Sequence, residues 1–427
     1  MRTSRGVVCV IAALMATIGP AYADPQSTKL SFGETIRRAL ARNPDVLIAT
    51  QEIARAKAIV EEVRAGSLPT LTSAAMFTQL DHARISEVNA TSIIEPATQF
   101  NGSGTAALQL NPQRWVLWAQ ARENQVLARL SAANVQRLLA ITVGQTYLAL
   151  FAQHQVIDAD ALGVQNAAAH VDYTHARLVA GNGTQLDYER ALALYNSDRS
   201  LLENARFLQV RLQEQLGILI AESGPVDVVE AVQLPPRPAD AGSALDDAQR
   251  LRRDLRLSRE SLVAATRVRR DSWADYVPWI DATYQFFYQT PPTQTLPTTG
   301  WQLTVTLGFN IYDGGLRYGL LKERRAIERE ARIRLDNELR LVSADVRTAE
   351  SELAHARAAL TTAREAARLS ADTLRLTIVA YHAGLSTNIE VIDAQTASLN
   401  ADVTAALAEN NERQGELDLL LASGRFP

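Results

Sequence analysis

From Trp301 onward apolar and polar residues alternate: Leu303, Val305, Leu307, Phe309 and Ile311 fall on one side, and Gln302, Thr304, Thr306, Gly308 and Asn310 on the other. Successive side chains of an extended chain point to opposite faces, so this period of two predicts a strand over residues 301–311. The pattern changes at Asp313-Gly314-Gly315, and residues 320–383 contain neither glycine nor proline. At a rise of about 1.5 Å per residue, an unbroken helix there would reach roughly 95 Å, far beyond an ordinary globular helix. Its apolar positions Leu335, Leu339, Val342, Val346, Ala349, Leu353, Ala356, Leu360, Ala363 and Ala367 are spaced by 4 and 3 in turn. A period of about 3.5 residues is that of helices packed side by side, and the alanines predict close approach. The charged residues around this seam read as a solvated surface of mixed sign.

The rest of the chain follows the same plan twice. Residues 30–64 show helical periodicity broken at Asn43-Pro44, which predicts two consecutive helices. Strands are predicted over about 69–80 and 104–111, with a polar loop, residues 82–102, between them. A helical hairpin over about 113–217 then turns at Gly181-Asn182-Gly183, and a Pro-rich connector ends in Leu234-Pro235-Pro236-Arg237-Pro238. The second half repeats this order: one helix from about 243 to 272, strands over about 278–289 and 301–311, and a helical hairpin over about 314–422 turning at Ala383-Gly384. Superposing Ala180-Gly181 on Ala383-Gly384 gives an offset of 203, on which Thr184 matches Thr387, Asp187 matches Glu390 and Ala191 matches Ala394. This predicts an internal duplication, with repeats at 24–224 and 243–427 joined by a linker at 225–242.

Residues 1–23 read as a secretory signal peptide, with Arg2 and Arg5, an apolar run from Val7 to Ile18 and the small-residue cleavage pattern Ala21-Tyr22-Ala23. An exported chain follows. The only cysteine, Cys9, lies inside that run, so the mature chain is expected to have no disulfide, thiol chemistry or amino-terminal lipid. Loss of Arg2 and Arg5 takes the formal charge from −4 to −6, which argues against nucleic acid as a partner. No later segment resembles a transmembrane helix, so a membrane crossing would be made by strands.

No phosphate-cradling glycine loop, His-Glu-x-x-His pair or nucleophile elbow is present, and no enzyme is predicted. His154, His170 and His175 are separated by 16 and 5, not the four residues of a helical ligand pair. Metal and cofactor are therefore expected to be none. Met76 is the only mature methionine, which disfavours a copper or silver duct built on soft ligands.

Each half thus offers a two-stranded ribbon with an apolar and aromatic face, carrying Tyr284, Phe286 and Tyr288 in the second half, and an opposite face of hydroxyls and amides. Lipid outside and water inside suit that alternation. Four strands cannot close a barrel, so several chains must contribute.

The order of the motifs now carries a resemblance. Leu30-Ser31-Phe32-Gly33-Glu34-Thr35-Ile36 with Asn43-Pro44, Ser67-Leu68-Pro69, Asn310-Ile311-Tyr312-Asp313-Gly314-Gly315, Tyr381-His382-Ala383-Gly384 and Glu390-Val391-Ile392-Asp393-Ala394 resemble the TolC-type outer-membrane efflux proteins, the outer membrane factors, across the mature chain. The resemblance implies a mainly α fold with a membrane β-barrel. This is a homotrimer with a long periplasmic helical barrel and a twelve-stranded outer-membrane barrel, four strands per chain. It also implies an exit duct in outer-membrane lipid for an inner-membrane transporter, joined through a periplasmic adaptor protein in tripartite efflux or type I secretion. A periplasmic coiled-coil adaptor and a structural envelope protein are the alternatives.

By the same resemblance, Asp187, Tyr381, Glu390 and Asp393 occupy the hydrogen-bonded constriction and carboxylate ring that close the periplasmic end. Thr184-x-x-Asp187 and Thr387-x-x-Glu390 are also capping-box patterns. Ser386 stands where the family's closing network has an arginine, and Arg190, the first-half counterpart of Asp393, is a candidate substitute partner.

Overall fold

The computed structural model describes residues 28–85, 93–229, 234–238, 240–293 and 295–426, so the signal-peptide reading of residues 1–23 lies outside the described residues. In chain order the elements are β1 (Thr28–Leu30), α1 (Phe32–Arg42), α2 (Pro44–Ala65), β2 (Thr70–Gln79), β3 (Arg84–Ile85), β4 (Ile93–Glu95), β5 (Thr98–Leu110), α3 (Pro112–Val179), α4 (Gln185–Leu219) and β6 (Val226–Val228). They continue as α5 (Ala241–Leu251), α6 (Arg253–Arg270), a 3-10 turn (Asp271–Tyr276), β7 (Trp279–Thr290), β8 (Thr299–Gly308), α7 (Leu316–His382) and α8 (Asn388–Ala422).

Local chemistry sets the helix starts and stops. Pro44 and Pro112 open α2 and α3 at a position whose N–H has no helical partner, and the Asn43 and Asn111 side chains each accept a following backbone N–H at 2.9 Å. Gly181 and Gly384 end the long helices with the same positive φ, +76°. Between those signals α3 runs 68 residues and α7 runs 67, about 100 Å each.

α2 and α4 pack on α3, while α6 and α8 pack on both α3 and α7. The helices therefore form one layer in the order α2/α4, α3, α6/α8, α7. Val342, Val346, Ala349, Leu353 and Leu360 of the heptad seam are buried, and the other seam residues are half-buried. Gly415 of α8 lets the backbones meet: a Cβ there would lie 3.1 Å from Leu353 Cα. At mid-length α1, the parallel pair β1–β6 and the C-terminal Phe426 cover α3, α4 and α8. The Tyr147 hydroxyl, fully buried there, donates to the Leu30 carbonyl at 3.2 Å.

The four long strands form one antiparallel sheet in the order β2-β5-β7-β8. Its register puts Leu71 opposite Ala106, Ala106 opposite Tyr284, and Tyr284 opposite Leu303. One face thus carries Leu71, Phe77, Tyr284, Phe286, Leu303, Val305 and Leu307, and it is bare: Leu71 is 84%, Leu307 69% and Val305 63% exposed. Glycines Gly300 and Gly308 of β8 leave room for the Phe287 and Trp279 rings of β7, aromatic cover that offsets a strand glycine's missing side chain.

Four expectations are corrected. The predicted helix over 243–272 is two helices and a 3-10 turn, broken at extended Arg252 (ψ 123°). No glycine or proline marks this break. It is held by the Arg252 guanidinium, which donates to Asp254 at 2.7 Å and Asp345 at 2.8 Å. The loop 82–102 is shorter than expected, because β3 and β4 pair within it and residues from Thr98 join the sheet through Gln79 and Phe100. Strand β8 ends at Gly308, leaving Phe309 and Ile311 exposed beyond the ladder. Finally, α3 is apolar enough over 18 residues to pass as a membrane span. Leu139, Val143, Tyr147 and Leu150 on that helix are buried instead in the mid-length core.

Candidate functional site

The two long helices finish side by side, and the turns after Val179 and His382 bring α3, α4, α7 and α8 to one end of the layer. Tyr381, in the last turn of α7, is 5% exposed. Its ring lies 5.6 Å from both His170 and Tyr173 of α3, with the Arg177 guanidinium 5.2 Å over its face. Burial raises the Tyr381 pKa above the ordinary phenol value, with Arg177 acting in the opposite sense. His382 stacks on Tyr173 at 4.2 Å.

Beneath these rings is a buried polar relay. His170 is 7% and Asn388 5% exposed, and His170 Nε2 lies 2.7 Å from Asn388 Oδ1. The Asn388 amide nitrogen donates to the Asp187 backbone carbonyl at 3.2 Å. That contact requires nitrogen on the α4 side, so Oδ1 accepts from His170 and the imidazole proton is on Nε2. Asn388, the first residue of α8, thereby links α3 to α4. Burial holds the His170 pKa below its ordinary value, and His382 adds to this, whereas the Asn388 bond and Asp187 oppose it.

The carboxylates beside the relay are engaged in caps. The Thr184 hydroxyl accepts the Asp187 N–H at 3.1 Å and donates to Asp187 Oδ2 at 2.8 Å. Glu390 Oε2 accepts from the Ser386 hydroxyl at 2.6 Å and from the Thr387 N–H at 2.7 Å. These bonds, that to Ser386 first, hold the Glu390 carboxyl below the usual carboxylate range. The capping box is thus complete at Thr387–Glu390, where Ser386 also serves Glu390 directly, whereas at Thr184 only the hydroxyl cap of the Asp187 N–H forms and the Asp187 carboxylate accepts from that hydroxyl. Asp393 and Arg190 are exposed, and among the described residues neither forms an ion pair within the chain.

Of the residues singled out from sequence, Tyr381, Asp187 and Glu390 share this end with the relay, while Asp393 and Arg190 stand on its surface. Sequence reading missed His170, Tyr173, Arg177 and Asn388 as members. The first three, with Thr174, recur at i, i+3, i+4 and i+7 on α3, a polar stripe that on a helix faces a partner. Chemically the arrangement is a packed, hydrogen-bonded end bearing exposed carboxylates. No group of three or more His, Cys, Asp or Glu side chains converges among the described residues.

The comparisons bear on the whole chain. The model of a family described as outer membrane efflux protein matches residues 35–221 and 244–425. No curated protein matches the sequence. Among solved structures, a membrane protein from Pseudomonas aeruginosa shares 20% identity over 93% of this chain and 91% of its own, with a TM-score of 0.82. The Campylobacter jejuni CmeC outer membrane channel shares 15% over 99% and 94%, at 0.81. The Neisseria gonorrhoeae MtrE outer membrane channel, described in its open state, shares 19% over 92% and 88%, at 0.76.

Proposed function

The chain belongs to the outer membrane efflux protein family, and from that premise we propose that it is the exit duct of a tripartite efflux or type I secretion system. In this reading three copies close into a ring, and the duct receives substrate from an inner-membrane transporter through a periplasmic adaptor. One observation carries the reading: sheet and helical layer are open at the same two sides. The sheet ends in β2 on one side and β8 on the other, and the layer ends in α2/α4 and α7, the helices next to those strands. An edge with unpaired N–H and C=O groups is unstable in lipid. A copy that offers β8 and α7 to the β2 and α2/α4 of the next satisfies both edges at once by a head-to-tail contact, which closes into a ring. Three copies give twelve strands.

In that ring the bare apolar face lies against hydrocarbon. Strands of 10 to 13 residues extend about 35–45 Å and, tilted by about 40°, span about 25–35 Å, which matches an outer-membrane apolar band. The hairpin end then projects into the periplasm. There we assign Tyr381 with the caps of Asp187 and Glu390 to the closing of the tunnel mouth, and Glu390 with Asp393 to its carboxylate ring. Arg190 is the cation available to Asp393 of a neighbouring copy.

The test is extraction and cross-linking. The protein should require detergent for release, run as a heat-sensitive trimer, and cross-link from a cysteine placed at Asn182 to a periplasmic adaptor in intact cells. Release by osmotic shock as a soluble monomer would overturn the reading.

A further inference from the structure

The end of the helical layer beside the sheet carries a collar of arginines, and most of them are neutralised within the chain. Arg267 pairs with Glu123 and Arg269 with Glu328, while Arg317 meets Asp313 at 2.8 Å and Arg324 meets Asp275 at 2.6 Å. Two others differ. Arg64, in the last turn of α2, and Arg122, on α3, are exposed, and neither has an ion-pair partner among the described residues. Both lie on the ring of Trp118, with guanidinium carbons 3.9 Å (Arg122) and 5.8 Å (Arg64) from its centroid.

Two cations sharing one aromatic ring repel each other, so cation–π attraction alone leaves the cluster unbalanced. Two further donors beside it are shut off from water without an acceptor among the described residues: the Trp118 indole N–H and the hydroxyl of Ser67, three residues beyond Arg64. Exposed Leu68 follows Ser67, and exposed Trp115 stands one turn before Trp118 on the same side of α3. The indole N–H and the Ser67 hydroxyl are enclosed by the chain itself, so what the cluster offers at its surface is two positive charges on an aromatic ring next to an apolar rim. That is the chemistry of a site for a singly charged phosphodiester attached to hydrocarbon chains.

Its height fits the same ligand. Trp118 lies in the second turn of α3, about 9 Å along the helix from where β5 ends, and Arg64 is correspondingly close to the start of β2. With the sheet spanning the hydrocarbon, a group about 9 Å beyond the strand ends sits at the level of phospholipid headgroups.

We propose that the Arg64–Trp118–Arg122 groove between α2 and α3 binds the phosphodiester headgroup of an anionic glycerophospholipid in the periplasm-facing leaflet. The site rests on the membrane placement proposed above, and it fixes the depth of the duct by tying the helical layer to the bilayer surface.

The experiment uses the full-length trimer in vesicles of phosphatidylcholine alone, or of phosphatidylcholine with an equal part of phosphatidylglycerol. The readout is the temperature of trimer dissociation. The native protein should dissociate several degrees higher with phosphatidylglycerol, and the double variant Arg64→Gln/Arg122→Gln at the same temperature in both. Arg64→Lys/Arg122→Lys, which keeps the charge but not the planar stacking, should restore part of the difference. Trp118→Ala should also reduce it, through loss of the ring on which both guanidinium groups lie. Equal temperatures for the native protein in the two lipids would overturn the site, as would a lipid-dependent difference that survives in the Gln variant. Inorganic phosphate added to the phosphatidylcholine vesicles should not reproduce the effect; if it did, the groove would be a free-phosphate site and the lipid assignment would fail. Failure to insert into either vesicle would reject the membrane placement and this site with it, whereas insertion with equal temperatures rejects the site alone.

Discussion

His170 Nε2 donates to Asn388 Oδ1 across 2.7 Å, joining the end of one long hairpin to the start of the other's return helix. The bond spans 218 residues of sequence and both partners are buried. Breaking it in place leaves two desolvated polar groups without partners, a cost of about 1–3 kcal/mol for each. The relay continues to the Asp187 carbonyl, so α3, α4 and α8 share one set of hydrogen bonds and α7 joins them through Tyr381. Moving either hairpin end independently disrupts all of it.

Acid should loosen this end. The groups facing His170 are Tyr381 and His382 from α7, Asn388 from α8, Asp187 from α4, and Tyr173 and Arg177 on its own helix. The folded-state pKa of His170 lies below the ordinary 6.5, so a state in which the ring is exposed binds more protons. The stabilisation from its packing is complete above that ordinary value and is lost as pH falls through the folded-state value. Amide exchange at residues 170–174 and 388–392, corrected for intrinsic rates, should be several-fold less protected near pH 5 than at neutral pH. His170→Gln retains an amide for Asn388 but does not titrate, and should remove that dependence. An unchanged pH response in the Gln variant would assign the effect to other groups.

Much of the architecture was legible because it follows from local rules. The 3.5-residue seam predicted that Val342, Val346, Leu353 and Leu360 would be inside; all four are buried within a single chain, the first three in a cluster with residues of α8 and α5. Alternation from Leu303 to Leu307 gave the correct faces of β8, since register places these residues with Tyr284 and Ala282 on one side. Tertiary choices were not legible. The break at Arg252 depends on Asp345, 93 residues away, and the Asn388 relay on His170 in the other half. Neither spacing carries a sequence signal. The capping boxes were visible as patterns, but no pattern states whether a carboxylate that caps its own helix also faces a channel.

The sheet face can be tested at neighbouring residues. Val305→Arg puts a charge on the face proposed to meet lipid, at about 2–4 kcal/mol per chain near the bilayer midplane, repeated in each subunit. Thr304→Arg puts it on the hydroxyl-bearing face. The yield of heat-sensitive trimer should fall sharply for the first and hold for the second. Equal yields would mean that the face assignment is wrong.

The close contact of α7 with α8 should tolerate no side chain at Gly415. Alanine there would gain about 1 kcal/mol of helix propensity over glycine, but its Cβ meets backbone, Leu353 Cα at 3.1 Å. A rigid neighbour makes the strain of overpacking, about 1–3 kcal/mol, the larger effect. Gly415→Ala should therefore lower the dissociation temperature slightly and Gly415→Val markedly. A rise for both would show that the helices separate easily along this seam.

The carboxylates at the hairpin end allow capping to be separated from gating. Glu390 is held ionised by the Ser386 hydroxyl and the Thr387 N–H, so its local role is complete within one chain. Asp393, one turn further on the same helix, has no such bond among the described residues. If the proposed ring forms, copies of both residues converge at its mouth, where clustered negative charge favours cations and is partly blocked by divalent ones. Asp393→Ala alone should weaken cation preference and relieve divalent block in planar-bilayer conductance, with unchanged thermal stability. Glu390→Ala should do the same while also costing about 0.5–2 kcal/mol through the lost cap, and Glu390→Gln should keep much of the cap while losing the charge. Selectivity that follows charge in both Asp393→Ala and Glu390→Gln identifies a carboxylate ring. Selectivity unchanged in both, with normal trimer assembly, would leave these residues as features of a helix start and place the constriction at Tyr381 and its ring partners.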